Sequence, residues 1–311
     1  MNLRIILSLL LPAFSLAACM RASSAALPPP PADAFAAATE TAIPIIPATI
    51  TTITTIATIA TVTPPPAPSA VATAPSRSVQ MLGYRVVMSY PHDADAFTQG
   101  LVYTGERLFE STGLRGRSSL REVELRTGNV MRRTDVPAPI FAEGLAVVGD
   151  ELIQITWQEA TAIRFDRDSF VERGRWTYAG EGWGLTYDGT RLIMSDGSAQ
   201  ISFRDPRTFE KIGEITVTVE GNPVVRINEL EWIDGMIWAN VWQTDLILRI
   251  DPLDGVVTGV LDLTGLLPAD LRGDADVLNG IAWNPANNHM LVTGKLWPRL
   301  FEIEVQEMQV K

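Results

Sequence analysis

The stretch 182–205, GWGLTYDGTRLIMSDGSAQISFRD, decides the fold. It reads as three short strands, GLTY, LIMSD and QISFRD, with the turn signal Asp188-Gly189 between the first two. Helical periodicity is nearly absent. The opening of this stretch, Trp183-Gly184-Leu185, has counterparts on both sides: Gln99-Gly100-Leu101, Glu143-Gly144-Leu145, Asn228-Glu229-Leu230 and Asn279-Gly280-Ile281. The Leu or Ile positions are 44, 40, 45 and 51 residues apart. A second strand follows each opening (LFEST, LIQITW, LIMSD, MIWANVW, MLVTGKLW), then a third (SLREVEL, AIRFD, QISFRDP, LILRIDP, LFEIEV). A fourth is visible in VMRRTDV and EKIGEITVTV.

Four-stranded repeats of about 40–50 residues describe propeller blades. Five openings predict an all-β chain, a five-bladed β-propeller over residues 81–311. The last unit lacks a fourth strand, and the orphan strand Tyr84–Tyr90 is expected to supply it, closing the ring from both termini. A β-sandwich, the structural rival, gives no reason for five homologous openings.

Residues 1–80 are a different object. They hold 12 of the 21 Pro and none of the 23 Gly, and all eight Trp lie beyond them. Met-Asn-Leu-Arg followed by an apolar run is a signal-peptide pattern, assigned to 1–18. The run ends at Leu16-Ala17-Ala18-Cys19, which resembles a bacterial lipobox, so Cys19 is expected to be acylated as the first mature residue. Met20, rather than Asp, points to the outer membrane. Residues 19–80, rich in Ala, Pro and Thr, read as a disordered tether. The expected location is the bacterial cell envelope, as a lipoprotein facing the periplasm.

Composition excludes several function classes. A net charge of −11 argues against nucleic acid. One Cys and two His cannot form an intramolecular disulfide or a His/Cys zinc cluster, so a zinc enzyme is not expected and no metal-ligating residue is assigned. GxGxxG does not occur, and no Ser has a nearby His for a triad. His92 and His289 fall in expected loops and receive no role.

The openings carry the candidate site. First strands of a propeller line the axis, so Gln99, Glu143, Trp183, Asn228 and Asn279 are expected to converge at one mouth. An acid, a ring and amides in equivalent slots are the chemistry of a pocket. Trp157, Trp242 and Lys295 lie near the ends of second strands, on the same side. Trp232, Trp238 and Trp283 are expected in the core.

The motifs PHDADAFTQGL, STGLRGRSSLREVEL, FAEGL, QITW, GEGWGLTYDG, INELEWIDGMIWANVWQTD and LVTGKLWP resemble the plant and bacterial type of glutaminyl cyclase, from Tyr84 to about Val305. The resemblance implies a five-bladed propeller that converts N-terminal glutaminyl residues of peptides to pyroglutamyl, releasing ammonia without a catalytic metal or a cofactor. It places catalytic Glu143 and Lys295, with Phe97, Gln99, Phe141, Trp157, Trp183, Asn228 and Trp242 as substrate-binding residues. Two departures stand out: Ala142 where Gly is usual, expected to narrow the pocket, and Ser111 where Gly is common. A monomer is expected. The alternative is a non-enzymatic envelope propeller that binds peptides, and the weakest reading is a sugar or lactone hydrolase.

Overall fold

The short strands pair into antiparallel sheets of four, in which the inner strands are buried on both faces and the outermost strands are largely exposed. The computed structural model describes residues 77–308. The expected signal peptide (1–18), Cys19 and the expected tether as far as residue 76 lie outside these residues. The first strand, β1 (Gln80–Pro91), is followed by unit 1: β2 (Thr98–Thr104), β3 (Arg107–Thr112), β4 (Ser119–Val123) and β5 (Val130–Asp135). Unit 2 is β6 (Ala142–Val148), β7 (Glu151–Thr156), β8 (Thr161–Asp166) and β9 (Glu172–Thr177). Unit 3 is β10 (Leu185–Tyr187), β11 (Leu192–Ser195), β12 (Gln200–Arg204) and β13 (Lys211–Thr216). A two-strand hairpin, β14 (Thr218–Val219) and β15 (Asn222–Pro223), precedes unit 4: β16 (Ile227–Ile233), β17 (Met236–Val241), β18 (Leu246–Ile250) and β19 (Val257–Asp262). Unit 5 is β20 (Leu278–Asn284), β21 (His289–Gly294) and β22 (Arg299–Glu307).

The fourth strand of unit 5 is β1, antiparallel to β22 from Leu82↔Glu307 to Pro91↔Arg299. The orphan strand is longer than the sequence suggests. Its first residues, Gln80 to Leu82, also pair in parallel with Gly259 to Leu261 of β19, which links units 4 and 5 into one eight-stranded sheet. The outer strands β9 and β19 escape sequence reading. In β9, ERGRWT, the burial pattern is mostly exposed, so little apolar alternation announces it.

The first strands touch in a closed cycle, β2 to β6 to β10 to β16 to β20 and back to β2. Five apolar clusters lie one at each interface: Phe109 and Leu120 against Leu145 and Leu152, for example, and Leu101 and Leu108 against Leu291 and Leu300. Each buried Leu or Ile contributes about 1.5–3 kcal/mol by leaving water. Trp238 is buried at the unit 4–5 interface, with Trp283 half-buried beside it; Trp232 packs on the cluster between units 3 and 4.

The repeated openings have a common physical cause. Ladder register shifts in β2 between Thr98 and Gly100, in β6 between Ala142 and Leu145, in β16 between Ile227 and Leu230, and in β20 between Leu278 and Ile281. Each is a β-bulge, which re-aims a side chain out of the ladder. The glycine of each opening allows the inner strands to approach. A Cβ on Gly100 would lie 2.6 Å from the Leu145 nitrogen, one on Gly144 2.4 Å from the Leu185 nitrogen, and one on Gly184 2.0 Å from the Asn228 oxygen. Unit 4 alone has Glu229 in this slot. Its buried carboxylate accepts from the Leu101 N–H at 3.3 Å and the Ile281 N–H at 2.8 Å, across the centre of the assembly.

Candidate active site

The bulges direct Gln99, Glu143 and Asn228 into one cavity of about 380 Å³. Trp183 reaches it from the loop before β10, Trp157 and Trp242 from just beyond β7 and β17, and Lys295 from just beyond β21. Phe97 and Phe141, each preceding an inner strand, complete the wall. All nine cavity residues singled out in the sequence therefore meet at one place. Three further lining residues, Gln243, Asp276 and Val277, stand on connections between strands and carry no repeat signal that would mark them in the sequence.

Asn279 departs from the expected convergence. Its side chain is fully buried behind the wall, where Nδ2 donates to the Thr98 carbonyl at 3.0 Å and to Gln99 Oε1 at 3.3 Å. That bond orients the Gln99 amide, whose Nε2 donates to Glu143 Oε1 at 3.0 Å. The opening of unit 5 thus supports its neighbour instead of facing the cavity.

Glu143 is 6% exposed. Burial holds its carboxyl well above the usual range; Lys295 opposes this, while Glu181 and Glu159 add to it. Lys295 is 4% exposed, with Nζ 4.9 Å from the centre of the Phe97 ring. Burial lowers the Lys295 ammonium, and the charges of Glu143 and Asp276 hold it up. Gly294 precedes Lys295 because a Cβ there would lie 2.3 Å from the Trp297 indole. Asn228 Oδ1 is buried with no hydrogen-bond partner among the described residues, and its backbone oxygen accepts from Ser195 Oγ at 2.7 Å.

Aromatic rings form the remaining wall. Phe97 meets Phe141 at 6.2 Å and Phe141 meets Trp157 at 5.6 Å; on the far side Trp183 meets Trp242 at 5.5 Å, edge to face. Ala142 does not narrow the cavity. Its methyl group packs into the apolar cluster with Phe109 and Leu120 and is not part of the cavity lining. Ser111 has a use: its hydroxyl donates to the backbone carbonyl of Glu143 and accepts from Gln154 Nε2 at 2.8 Å.

The histidines also differ from expectation. His92 is buried just after β1, with Nδ1 2.6 Å from the Trp297 carbonyl and Nε2 3.0 Å from Glu110 Oε1. Burial alone would lower its pKa; Glu110 and the carbonyl outweigh burial and raise it. His289 opens β21 and pairs with Glu302 at 2.6 Å. Two further buried acids, Glu229 and Glu231, stand outside the cavity, committed to backbone N–H groups.

A buried acid and a buried cation facing one ring-walled cavity suit proton transfer at a small polar substrate. The sequence profile of the glutamine cyclotransferase family matches residues 54–305. The chain belongs to that family. A glutaminyl-peptide cyclotransferase of Arabidopsis thaliana is 44% identical over 232 residues, covering 73% of this chain and 72% of the relative. The crystal structure of Myxococcus xanthus glutaminyl cyclase superposes with a TM-score of 0.70 at 38% identity, covering 75% of this chain and all of that one. The family match spans every residue that lines the cavity.

Proposed function

We propose that this chain cyclises N-terminal glutaminyl residues to pyroglutamyl and releases ammonia, in a five-bladed propeller formed by the five four-stranded units. The observation that carries the reading is that Glu143 and Lys295, both buried, line one ring-walled cavity large enough to admit an N-terminal glutaminyl residue.

The reaction joins the α-nitrogen to the side-chain amide carbon of the same residue. Being intramolecular, it gains most from orientation. Glu143, whose carboxyl is held well above its ordinary range by burial, takes a proton from the attacking α-amine. The carbonyl oxygen becomes an oxyanion, and the Lys295 ammonium donates to it. Glu143 then delivers its proton to the departing amide nitrogen, the C–N bond breaks, and ammonia leaves. Gln99 orients the Glu143 carboxylate, and the unpaired Asn228 Oδ1 accepts a substrate N–H. Trp157, Trp183 and Trp242 exclude water around these groups.

The N-terminal segment completes the proposal. Removal of residues 1–18, acylation of Cys19 and a linking segment 19–80 would hold the catalytic domain at the outer membrane, facing the periplasm, as a monomer. The motif Leu16-Ala17-Ala18-Cys19 supports this placement.

Ammonia release from a Gln-initiated dipeptide tests the activity, with an Asn-initiated dipeptide as control and with chelator in parallel. Release from the Gln substrate alone, unaffected by chelator, is expected. Binding of the Gln peptide without ammonia would replace the enzyme by a peptide-binding propeller.

A further inference from the structure

The two ring groups of the cavity wall are joined through one side chain outside it. Trp157 Nε1 donates to Glu181 Oε2 at 2.7 Å, and Trp183 Nε1 donates to the same oxygen at 3.0 Å. The other oxygen accepts from Gln158 Nε2 at 3.3 Å. An indole in a wall of this kind needs an acceptor for its single N–H. Here two indoles from adjacent units share one. Phe97, Phe141 and Trp157 form one run of rings, Trp183 and Trp242 the other, and Glu181 is the link between them.

The loop that carries Glu181 is seated tightly. Gly182 donates to the Trp157 carbonyl at 3.0 Å, and a Cβ on it would lie 2.3 Å from the Tyr178 hydroxyl. Trp183 donates to the Ser195 carbonyl at 3.0 Å. Burial works to raise the Glu181 carboxyl, but donors from Trp183, Trp157 and Gln158 outweigh it and hold the group below its ordinary range. It is anionic at neutral pH.

We propose that Glu181 is a positioning residue for cyclisation, closing the aromatic wall by holding Trp157 and Trp183 together on one carboxylate oxygen. This rests on the cyclisation reading above. Two effects separate. The shared acceptor sets the wall, and so substrate capture. The negative charge adds to the upward push on Glu143, which is also faced by Gln99 from β2, by Lys295 from beyond β21, by Glu159 with its partner Arg115, and by the Tyr178 hydroxyl.

The test uses the full-length chain as wild type, Glu181→Gln and Glu181→Ala, with a Gln-initiated dipeptide. Glu181→Gln keeps a carbonyl oxygen for both indoles and removes the charge. Its KM should stay within about twofold of wild type. Without the charge Glu143 titrates lower, so the acid limb of kcat/KM should move down by about half a pH unit. The titration of the substrate's own amine is common to all three proteins. Glu181→Ala leaves both indoles without their acceptor; KM should rise about tenfold, with a smaller fall in kcat. The near-ultraviolet circular dichroism of the tryptophans should change in Glu181→Ala and persist in Glu181→Gln. A KM within twofold of wild type in Glu181→Ala overturns the proposal, as does a Glu181→Gln variant that matches Glu181→Ala in KM and dichroism. An unmoved acid limb in Glu181→Gln overturns the charge effect. A wild-type protein that releases no ammonia refutes the cyclisation reading instead, and the dichroism arm still decides whether Glu181 holds the wall.

Discussion

Replacing Glu143 by Gln isolates the proton transfer from everything else the side chain does. The substitution keeps shape and keeps an oxygen for the Gln99 amide, 3.0 Å away. It removes the ability to accept a proton at neutral pH. Loss of a general acid–base group lowers turnover by about 10²–10⁴-fold, a barrier rise of about 2.7–5.4 kcal/mol. KM should change far less, because the loss is felt in the transition state. Stability should move the other way. The folded-state pKa of Glu143 lies above its ordinary value of 4.5 because burial penalises the charge. The folded protein therefore binds this proton more tightly than the unfolded chain does, and stability is lost as pH rises from about 4.5 through the raised value. The Gln variant has no such loss. Its Tm should match wild type near pH 4 and equal or exceed it at pH 8. Steady-state ammonia release and a thermal melt at the two pH values measure both effects. A variant with more than about a tenth of wild-type turnover refutes the shuttle, since that leaves only about 1.4 kcal/mol to explain. A Tm clearly below wild type at pH 8 refutes the account of a strained buried charge.

Lys295→Met should lower kcat by about 10²–10³-fold through loss of oxyanion stabilisation. Since the Lys295 charge pulls Glu143 down, the acid limb of kcat/KM should move to higher pH, and an unmoved limb would separate the two groups. Gly184→Ala puts a methyl 2.0 Å from the Asn228 oxygen, where backbone must shift; overpacking of this kind costs about 1–3 kcal/mol, read as a lower denaturant midpoint. Cys19→Ser should move the protein from the membrane fraction to the soluble fraction, and an unchanged distribution would remove the lipid anchor from the proposal.

The sequence shows the units because their second and third strands are apolar on one face and end in turns that require particular backbone. Asp234 and Gly235 both adopt positive φ, 49° and 81°, the pattern of a tight hairpin. It shows the cavity because the repeat holds structure constant while the opening residue varies. It does not show the bulges, which are a property of paired strands. Nor does it show that the methyl of Ala142 packs into an apolar cluster outside the cavity lining, or that Asn279 turns inward to hold Gln99. His92 looks like a loop residue beside Pro91; only the arrival of Trp297 and Glu110, distant in sequence, makes it a buried clasp. Glu181 looks like a solvated carboxylate in a glycine-rich loop until two indoles from different units meet on it.

Glu229 gives the ring a way to count. In an open array, repeats contact only their neighbours and can be added or lost at will; in a closed cycle every interface must meet at the angle that closes the ring. A carboxylate that leaves the fourth unit and ends on N–H groups of the first and fifth depends on the circumference itself. With one unit more or fewer, those donors would no longer stand where the side chain ends, and an acid would be stranded in a dry interior. The lone exception to glycine among five equivalent slots thus adds to the packed interfaces a polar tie that fits one circumference, and marks one unit as unlike the rest.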